Sequence, residues 1–151
     1  SGGLEYKSNA STYKAKLELL DKELRDSLSL IPKERRFLVT CEGAFTYLAR
    51  DYGMQEGYLW PVNSESQVTP RRMVNLIKKI KENKVPTIFC ESTVSSEAQM
   101  EVAKSSGAVF GGTFYVDSLS DINGPAPTYI DLLRHNVELI TEGLTLSGEK
   151  K

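Results

Sequence analysis

The chain has 151 residues, of which 40% are hydrophobic and 26% are charged, which is enough for one domain with its own core. Its formal net charge of −1 gives no indication of a nucleic acid or an acidic membrane surface as a partner. No apolar run reaches the roughly 18–20 residues of a transmembrane helix, and the polar start Ser1-Gly2-Gly3 is unlike a signal peptide. A chain without an initiator methionine is expected to be a mature protein, an engineered piece or a fragment.

A long amphipathic helix is the first predicted element, from residue 4 to about residue 31. Apolar or small side chains recur there in steps of three and four, which indicates one helical stripe. The stripe consists of Tyr6, Ala10, Tyr13, Leu17, Leu20, Leu24 and Leu28. Pro32 ends the helix. A coiled coil would need more repeats, so we expect a surface helix that packs on a sheet.

The remaining chain alternates between short apolar runs and amphipathic stretches. Strands are predicted over 37–41, 58–62, 85–90 and 109–116, the last interrupted by Gly111-Gly112. Helices are predicted over 45–52, from Thr69-Pro70, from Ser95 or Ser96 to Gly107, and from Thr128 to Gly143. This alternation indicates an α/β fold, a parallel four-stranded sheet flanked by helices. A frayed tail is expected over 144–151, with 145–151 flexible.

Two of these helices have predicted inner faces. The residues expected to face the core are Met73, Val74, Ile77 and Ile80 in one helix, and Tyr129, Leu133, Val137 and Ile140 in the last.

Three carboxylates follow predicted strands. Glu42 comes after the first strand, Glu91 after the third and Asp117 after the fourth. Ligands of parallel α/β sheets bind outside the carboxyl ends of the strands. The three residues are therefore expected to converge at one edge of the sheet, as a candidate acidic site.

Four stretches of the chain resemble one receptor family. They are "LVTCEGAFTYLARDYG", "YLWPVNSESQVTP", "KVPTIFCESTVSSEAQMEVAKSSGA" and "TFYVDSLSDINGPAPTYIDLLRHNVELITEGL". In this order they resemble the C-terminal half of TroA-like solute-binding proteins, which serve ABC importers for manganese, zinc and iron. The resemblance covers nearly the whole chain. It implies that residues 1–151 form one lobe of a two-lobed metal receptor, without its N-terminal lobe and linking helix.

The resemblance also implies a ligand set. Glu42 in "TCEGAF" and Asp117 in "YVDS" occupy the positions at which this lobe supplies metal ligands, and the missing lobe would supply two histidines. Glutamate at the first position resembles the manganese-type branch. Carboxylates are hard ligands suited to Mn²⁺, and mixed imidazole and carboxylate sets also accept Zn²⁺. Half a site is expected to hold metal weakly.

The expected function is that of a receptor with no catalytic machinery. It would be periplasmic or lipid-anchored and would deliver Mn²⁺ or Zn²⁺ to a cognate ABC permease. The competing hypothesis is an α/β phosphoryl-transfer or hydrolytic enzyme that uses Glu42, Glu91 and Asp117 around Mg²⁺.

Other residues allow both a functional and a packing interpretation. Glu91 either orients the site without touching the metal or caps a helix. Cys41 and Cys90 either form a soft zinc site or a redox pair, or are two small buried thiols, which is the favoured interpretation. A disulfide is left open, and relatives usually carry serine in place of Cys41. The single histidine, His135, could be a metal ligand, but it lies off the predicted stripe and is expected to face solvent.

Two further stretches have two interpretations each. Trp60 either shields the site from water or packs in the core. Arg71 and Arg72, where relatives often have acidic residues, place cations unfavourably at a helix N-terminus. They either serve docking to the transporter or an anion, or form a solvated face, which is the default.

Overall fold

The computed structural model describes residues 2–62 and 68–145. Within these residues the chain forms four strands and five α-helices, with a short 3₁₀ turn at Lys33–Arg35 before the first strand. In chain order they are α1 (Gly2–Ser29), β1 (Phe37–Glu42), α2 (Thr46–Asp51), β2 (Gln55–Trp60), α3 (Pro70–Glu82), β3 (Thr87–Glu91), α4 (Glu97–Ser106), β4 (Val109–Phe114) and α5 (Tyr129–Thr145). The predicted α/β class, with helices flanking parallel strands, is confirmed.

The four strands form two parallel pairs. β1 pairs with β2, and β3 pairs with β4. β1 lies beside β3, but in the described part of the chain no backbone ladder joins the two pairs. The predicted interruption at Gly111-Gly112 is a bulge, because Ile88 pairs with Phe110 while Cys90 pairs with Thr113.

Alternate residues of the central strands point into two separate cores. Leu38 of β1 and Phe89 of β3 pack with α1, α2 and α5. Val39 and Ile88 face the other way, towards α3 and α4. Both faces of the sheet are thus covered, which accounts for the nearly continuous apolar character of β1 and β3 in the sequence.

Only the second half of α1 is packed. Leu20, Leu24 and Leu28 are buried and contribute to the core that contains α5. Residues 2–16 are exposed. Tyr6 is 78% exposed and Tyr13 51%. The predicted stripe is therefore correct in period, but its first half projects beyond the body of the domain and is not covered in the described structure.

Several predicted boundaries and faces differ from the structure. On α5 the predicted inner-face residue Tyr129 is 54% exposed, whereas Leu132 and Asn136 are buried. β3 begins at Thr87 rather than at residue 85, and β4 ends at Phe114 rather than at residue 116.

β2 begins three residues before the predicted strand, and its first two residues, Gln55 and Glu56, are polar. On α3 the buried residues are Leu76 and Ile80, whereas Val74 is 62% exposed. Helix α5 continues through Thr145, and Leu144 is fully buried. The expected tail therefore does not begin at residues 144 and 145, and residues 146–151 lie outside the described part.

Local sequence signals set the helix ends. The Thr69 side chain accepts a hydrogen bond from Arg72 N–H, and Pro70 is the first residue of α3. Gly107 ends α4 at a φ of +83°, which favours glycine. None of the helices in the described ranges is long and apolar enough to cross a membrane.

Candidate metal centre

Glu42 and Asp117 lie at the same end of the sheet. Glu42 is the last residue of β1, and Asp117 follows the end of β4 by three residues. Both line one cleft with a volume of about 420 Å³. The prediction that these two carboxylates, distant in sequence, converge at one edge therefore agrees with the fold.

The rest of the cleft is mainly apolar and aromatic. Its walls come from α1, the α2 segment and α5, including Leu24, Phe45 and Leu133. The polar groups that share it with the two carboxylates include Tyr115 and Asn136. An apolar cleft with a few polar groups is the usual form of a small-ligand site, and it limits the water that competes for those groups.

Glu91 connects the two strand pairs at this end. It is the last residue of β3, is 1% exposed, and its carboxylate accepts hydrogen bonds from two backbone N–H groups of β1. The donors are Cys41 N–H (3.1 Å to Oε2) and Glu42 N–H (3.2 Å to Oε2 and 3.3 Å to Oε1). Of the two interpretations left open, orientation of the site is the one these contacts support, and the helix-cap role is not observed.

Two opposing effects act on the ionisation of Glu91. Burial disfavours the charged carboxylate, while the backbone N–H groups of Glu42, of Glu91 itself and of Cys41 favour it. Burial is the larger effect, with a smaller contribution from the nearby Glu42 charge, and it raises the pKa of Glu91 from 4.5 to about 7. Glu91 is therefore partly protonated at neutral pH.

Cys41 and Cys90 form a disulfide, with a Cα–Cα distance of 4.8 Å. The favoured prediction of two separate thiols was wrong, because β1 and β3 place the two residues directly side by side. The sulfur atoms and a Glu91 oxygen lie within 4.8 Å of one another. Since the sulfurs are bonded to each other, they offer no thiolate, and this group is not a soft metal site.

Asn136 of α5 holds the other side of the cleft, and the sequence analysis missed it. Its Oδ1 accepts from Tyr115 N–H (3.0 Å) and its Nδ2 donates to Tyr115 C=O (2.7 Å). Asn136 is 4% exposed and lies among the buried residues of the helix, four residues after Leu132. A single amide within an apolar stripe was the signal that could have identified it.

His135 and Trp60 have packing roles. His135 is half-buried, not solvent-facing as predicted, with Nε2 3.0 Å from the carbonyl oxygen of Thr113 and its ring edge-on to Tyr115. Trp60 is 1% exposed and packs in the core on the α3 and α4 side. The core interpretation of Trp60 therefore holds, and the segment 63–67 that follows lies outside the described residues.

The two arginines at the start of α3 are placed differently. Arg71 is exposed, whereas Arg72 is half-buried and lines a groove between α3 and β2 with Glu56 and Lys79. The default interpretation of a solvated face fits Arg71.

Three comparisons with known proteins bear on this arrangement. Residues 2–143 match the family model ZnuA, described as zinc-uptake complex component A, periplasmic. The chain is 51% identical over 138 residues to the iron-binding protein YfeA of Yersinia pestis, covering 91% of this chain and 44% of that protein. The chain spans about half the length of the curated relatives it matches.

Solved structures of periplasmic metal-binding proteins share the fold of this chain. The fold matches a manganese-bound periplasmic metal-binding protein of Candidatus Liberibacter asiaticus with a TM-score of 0.83 at 40% identity, over 92% of this chain and 51% of that one. It matches the periplasmic zinc-binding protein TroA of Treponema pallidum with a TM-score of 0.83 at 30% identity, over 90% of this chain and 51% of that one.

The family model describes a zinc-uptake component, and a curated relative from Streptococcus mitis is a manganese ABC transporter substrate-binding lipoprotein; these descriptions give the enzymatic alternative no support. The match over residues 2–143 and the shared lobe fold agree with the resemblance seen in the sequence. The chain belongs to the ZnuA family, whose model describes zinc-uptake complex component A, periplasmic.

Proposed function

We propose that this chain is one lobe of a receptor that captures a divalent metal ion, Mn²⁺ or Zn²⁺, and delivers it to an ABC permease. Glu42 and Asp117 supply two carboxylate ligands to the ion. The observation that carries the proposal is that these two residues line one cleft at the carboxyl ends of β1 and β4. The metals named in the relatives, which are iron, manganese and zinc, support a divalent ion of this kind.

The chemistry of the two ligands fits such an ion. Two carboxylates neutralise a divalent charge, and hard oxygen ligands suit Mn²⁺, while Zn²⁺ also accepts carboxylate oxygens. Two protein ligands leave most of the coordination shell to water or to a second lobe. We propose that an N-terminal lobe supplies two histidines. We also propose that the receptor works in the periplasm or on a lipid anchor, and for this location the relatives' names, periplasmic and lipoprotein, give support.

Calorimetric titration with Mn²⁺ and with Zn²⁺ tests the ligand assignment. We expect weak binding to the wild-type chain, and no detectable binding to Glu42→Ala or Asp117→Ala. Asp121→Ala is the matched control, because Asp121 is an exposed acid on the same segment and lines a different cavity. Binding that survives both substitutions, or that Asp121→Ala abolishes equally, would contradict the assignment.

A thermal unfolding scan of the metal-free chain belongs to the same experiment. Both cores consist of apolar side chains and do not include a metal ligand set. We therefore expect one cooperative transition without metal. Its loss in a variant would show that the variant is unfolded rather than unable to bind.

A further inference from the structure

We propose that Glu91 and Asn136 are positioning residues for the metal site, each fixing the backbone of a segment that carries one proposed ligand. This inference rests on the proposed function, in which Glu42 and Asp117 are the ligands. Neither Glu91 nor Asn136 needs to touch the ion. Each acts through hydrogen bonds to the main chain next to a ligand.

Glu91 fixes the Glu42 side. Its carboxylate accepts the N–H of Cys41 and that of Glu42, so the last residues of β1 are held from the neighbouring strand β3. A parallel partner strand normally occupies such N–H groups, but no ladder joins β1 to β3 in the described structure. At the end of β1, where Glu42 lies, the Glu91 carboxylate therefore accepts the hydrogen bonds that a neighbouring strand would otherwise accept.

Asn136 fixes the Asp117 side. Its amide group forms a two-point contact with Tyr115, accepting the backbone N–H and donating to the backbone C=O. Tyr115 is the first residue after β4 and lies two residues before Asp117. The segment that carries Asp117 is therefore held to α5 by the two hydrogen bonds of one buried amide, in addition to the edge-on contact of the His135 and Tyr115 rings.

The two contacts share features that set them apart from ordinary loop hydrogen bonds. Both side chains are buried, at 1% and 4% exposure, and each makes two-point contact with backbone beside a ligand. Side chains that orient metal ligands through hydrogen bonds typically contribute 10–100-fold to metal affinity. The two ligands lie on separate strand pairs, so each needs its own fixed point.

The experiment compares Mn²⁺ affinity with stability in the same 151-residue chain. Glu91→Gln keeps the shape of the side chain but leaves one oxygen to accept where two accept now. Asn136→Leu removes both bonds to Tyr115. Free Mn²⁺ is counted by the paramagnetic resonance signal of its hydrated ion, and thermal unfolding is measured on each sample.

Thr87→Val is the matched control. Thr87 is also buried on β3, and its hydroxyl donates to the Gly143 carbonyl (2.7 Å), but it lies at the opposite end of the strand from Glu91. Valine has nearly the same shape and removes that one bond. The control therefore loses a buried side-chain to backbone hydrogen bond without touching the site.

We expect Glu91→Gln and Asn136→Leu each to weaken Mn²⁺ binding about tenfold or more, and Thr87→Val to stay within about twofold of wild type at a comparable loss of melting temperature. Wild-type affinity in both site variants would overturn the proposal, as would an equal loss of affinity in Thr87→Val. If only one site variant binds weakly, the proposal holds for that residue and fails for the other.

Failure of this inference is distinguishable from failure of the proposed function. If Glu42→Ala and Asp117→Ala abolish binding while Glu91→Gln and Asn136→Leu do not, only the positioning role is wrong. If Glu42→Ala and Asp117→Ala bind as wild type does, the site itself is wrong.

Discussion

The carboxylate of Glu91 lies 3.2 Å from the amide nitrogen of Glu42, so the final residue of β3 holds the final residue of β1. Glu91 is 1% exposed. Its burial raises its pKa by more than the hydrogen bonds that its carboxylate accepts lower it. The contact thus has a cost whenever Glu91 is ionised. That cost makes the stability of the domain depend on pH.

Stability is expected to fall as pH rises through the range from about 4.5 to about 7. In that range the folded chain holds a proton on Glu91 that the unfolded chain releases, because the pKa of Glu91 is raised to about 7. The contribution of this proton to stability is fully present below the pKa of Glu91 in the unfolded chain, and it is lost as the pH rises through the pKa of Glu91 in the folded chain. One pKa unit corresponds to about 1.4 kcal/mol, so the loss is about 3 kcal/mol.

Urea unfolding at several pH values measures this loss. Other carboxylates titrate in the same range, so the quantity to compare is wild type minus Glu91→Gln, whose side chain does not ionise. A difference between the two proteins that stays constant from pH 4 to pH 8 would contradict the raised pKa.

The Cys41–Cys90 disulfide is expected to stabilise the domain by about 2–4 kcal/mol, because it closes a long loop in the unfolded chain. The two cysteines are 49 residues apart in sequence. The double variant Cys41→Ala/Cys90→Ala should unfold at a correspondingly lower urea concentration. Reductant should lower the stability of wild type to a similar value and leave the double variant unchanged; an equal effect of reductant on both would show that it acts elsewhere.

Two neighbouring residues of α3 test which face of this helix is buried. Leu76 is 3% exposed and packs in the core, whereas Val74 is 62% exposed. We expect Leu76→Ala to lower the free energy of unfolding by about 2–5 kcal/mol, and Val74→Ala to change it by less than about 0.5 kcal/mol. Chemical denaturation of both variants decides the matter, and a larger loss at Val74 would restore the face predicted from the sequence.

Removal of the first 12 residues is expected to leave the stability of the domain nearly unchanged. All of those that the structure describes are exposed, and the packed part of α1 begins near Leu17. The free energy of unfolding should change by about 0.5 kcal/mol or less. By contrast, Leu24→Ala in the buried half should cost about 2–5 kcal/mol. A truncated chain that fails to unfold cooperatively would show that the projecting half does contribute to the core.

The sequence predicted the fold class because its strongest patterns coincide with burial on both sides of the sheet. Phe37–Glu42 and Thr87–Glu91 are buried along nearly their whole length, and the sequence shows both as apolar runs. The start of β2 was misplaced because its first two residues, Gln55 and Glu56, are polar and not buried, and so lack the apolar pattern. In the described structure β1 forms a ladder with β2 but not with its other neighbour, β3. This choice depends on the three-dimensional placement of the strands, which no local sequence pattern predicts.

The site was only partly predictable. Glu42 and Asp117 could be placed at one edge because parallel strands end together. The Cys41–Cys90 bond, the Glu91 contact and the Asn136 contact are all long-range, and each joins elements whose proximity the chain order does not reveal. The sequence does show a titratable residue, Glu91, at the end of a strand and an amide, Asn136, within an apolar stripe. Neither pattern indicates which residue it contacts.

The division of the strands into two pairs has a mechanical consequence for the cleft. Glu42 belongs to the β1–β2 half, and Asp117 follows the β3–β4 half. A small rotation of one half against the other would change the gap between the two carboxylates while leaving every ladder intact. Within the described residues, the two strand pairs are joined by the Cys41–Cys90 disulfide, by the hydrogen bonds from β1 to the Glu91 carboxylate, and by packed side chains on both faces. The distance between the carboxylates of Glu42 and Asp117 is therefore set by tertiary contacts rather than by secondary structure.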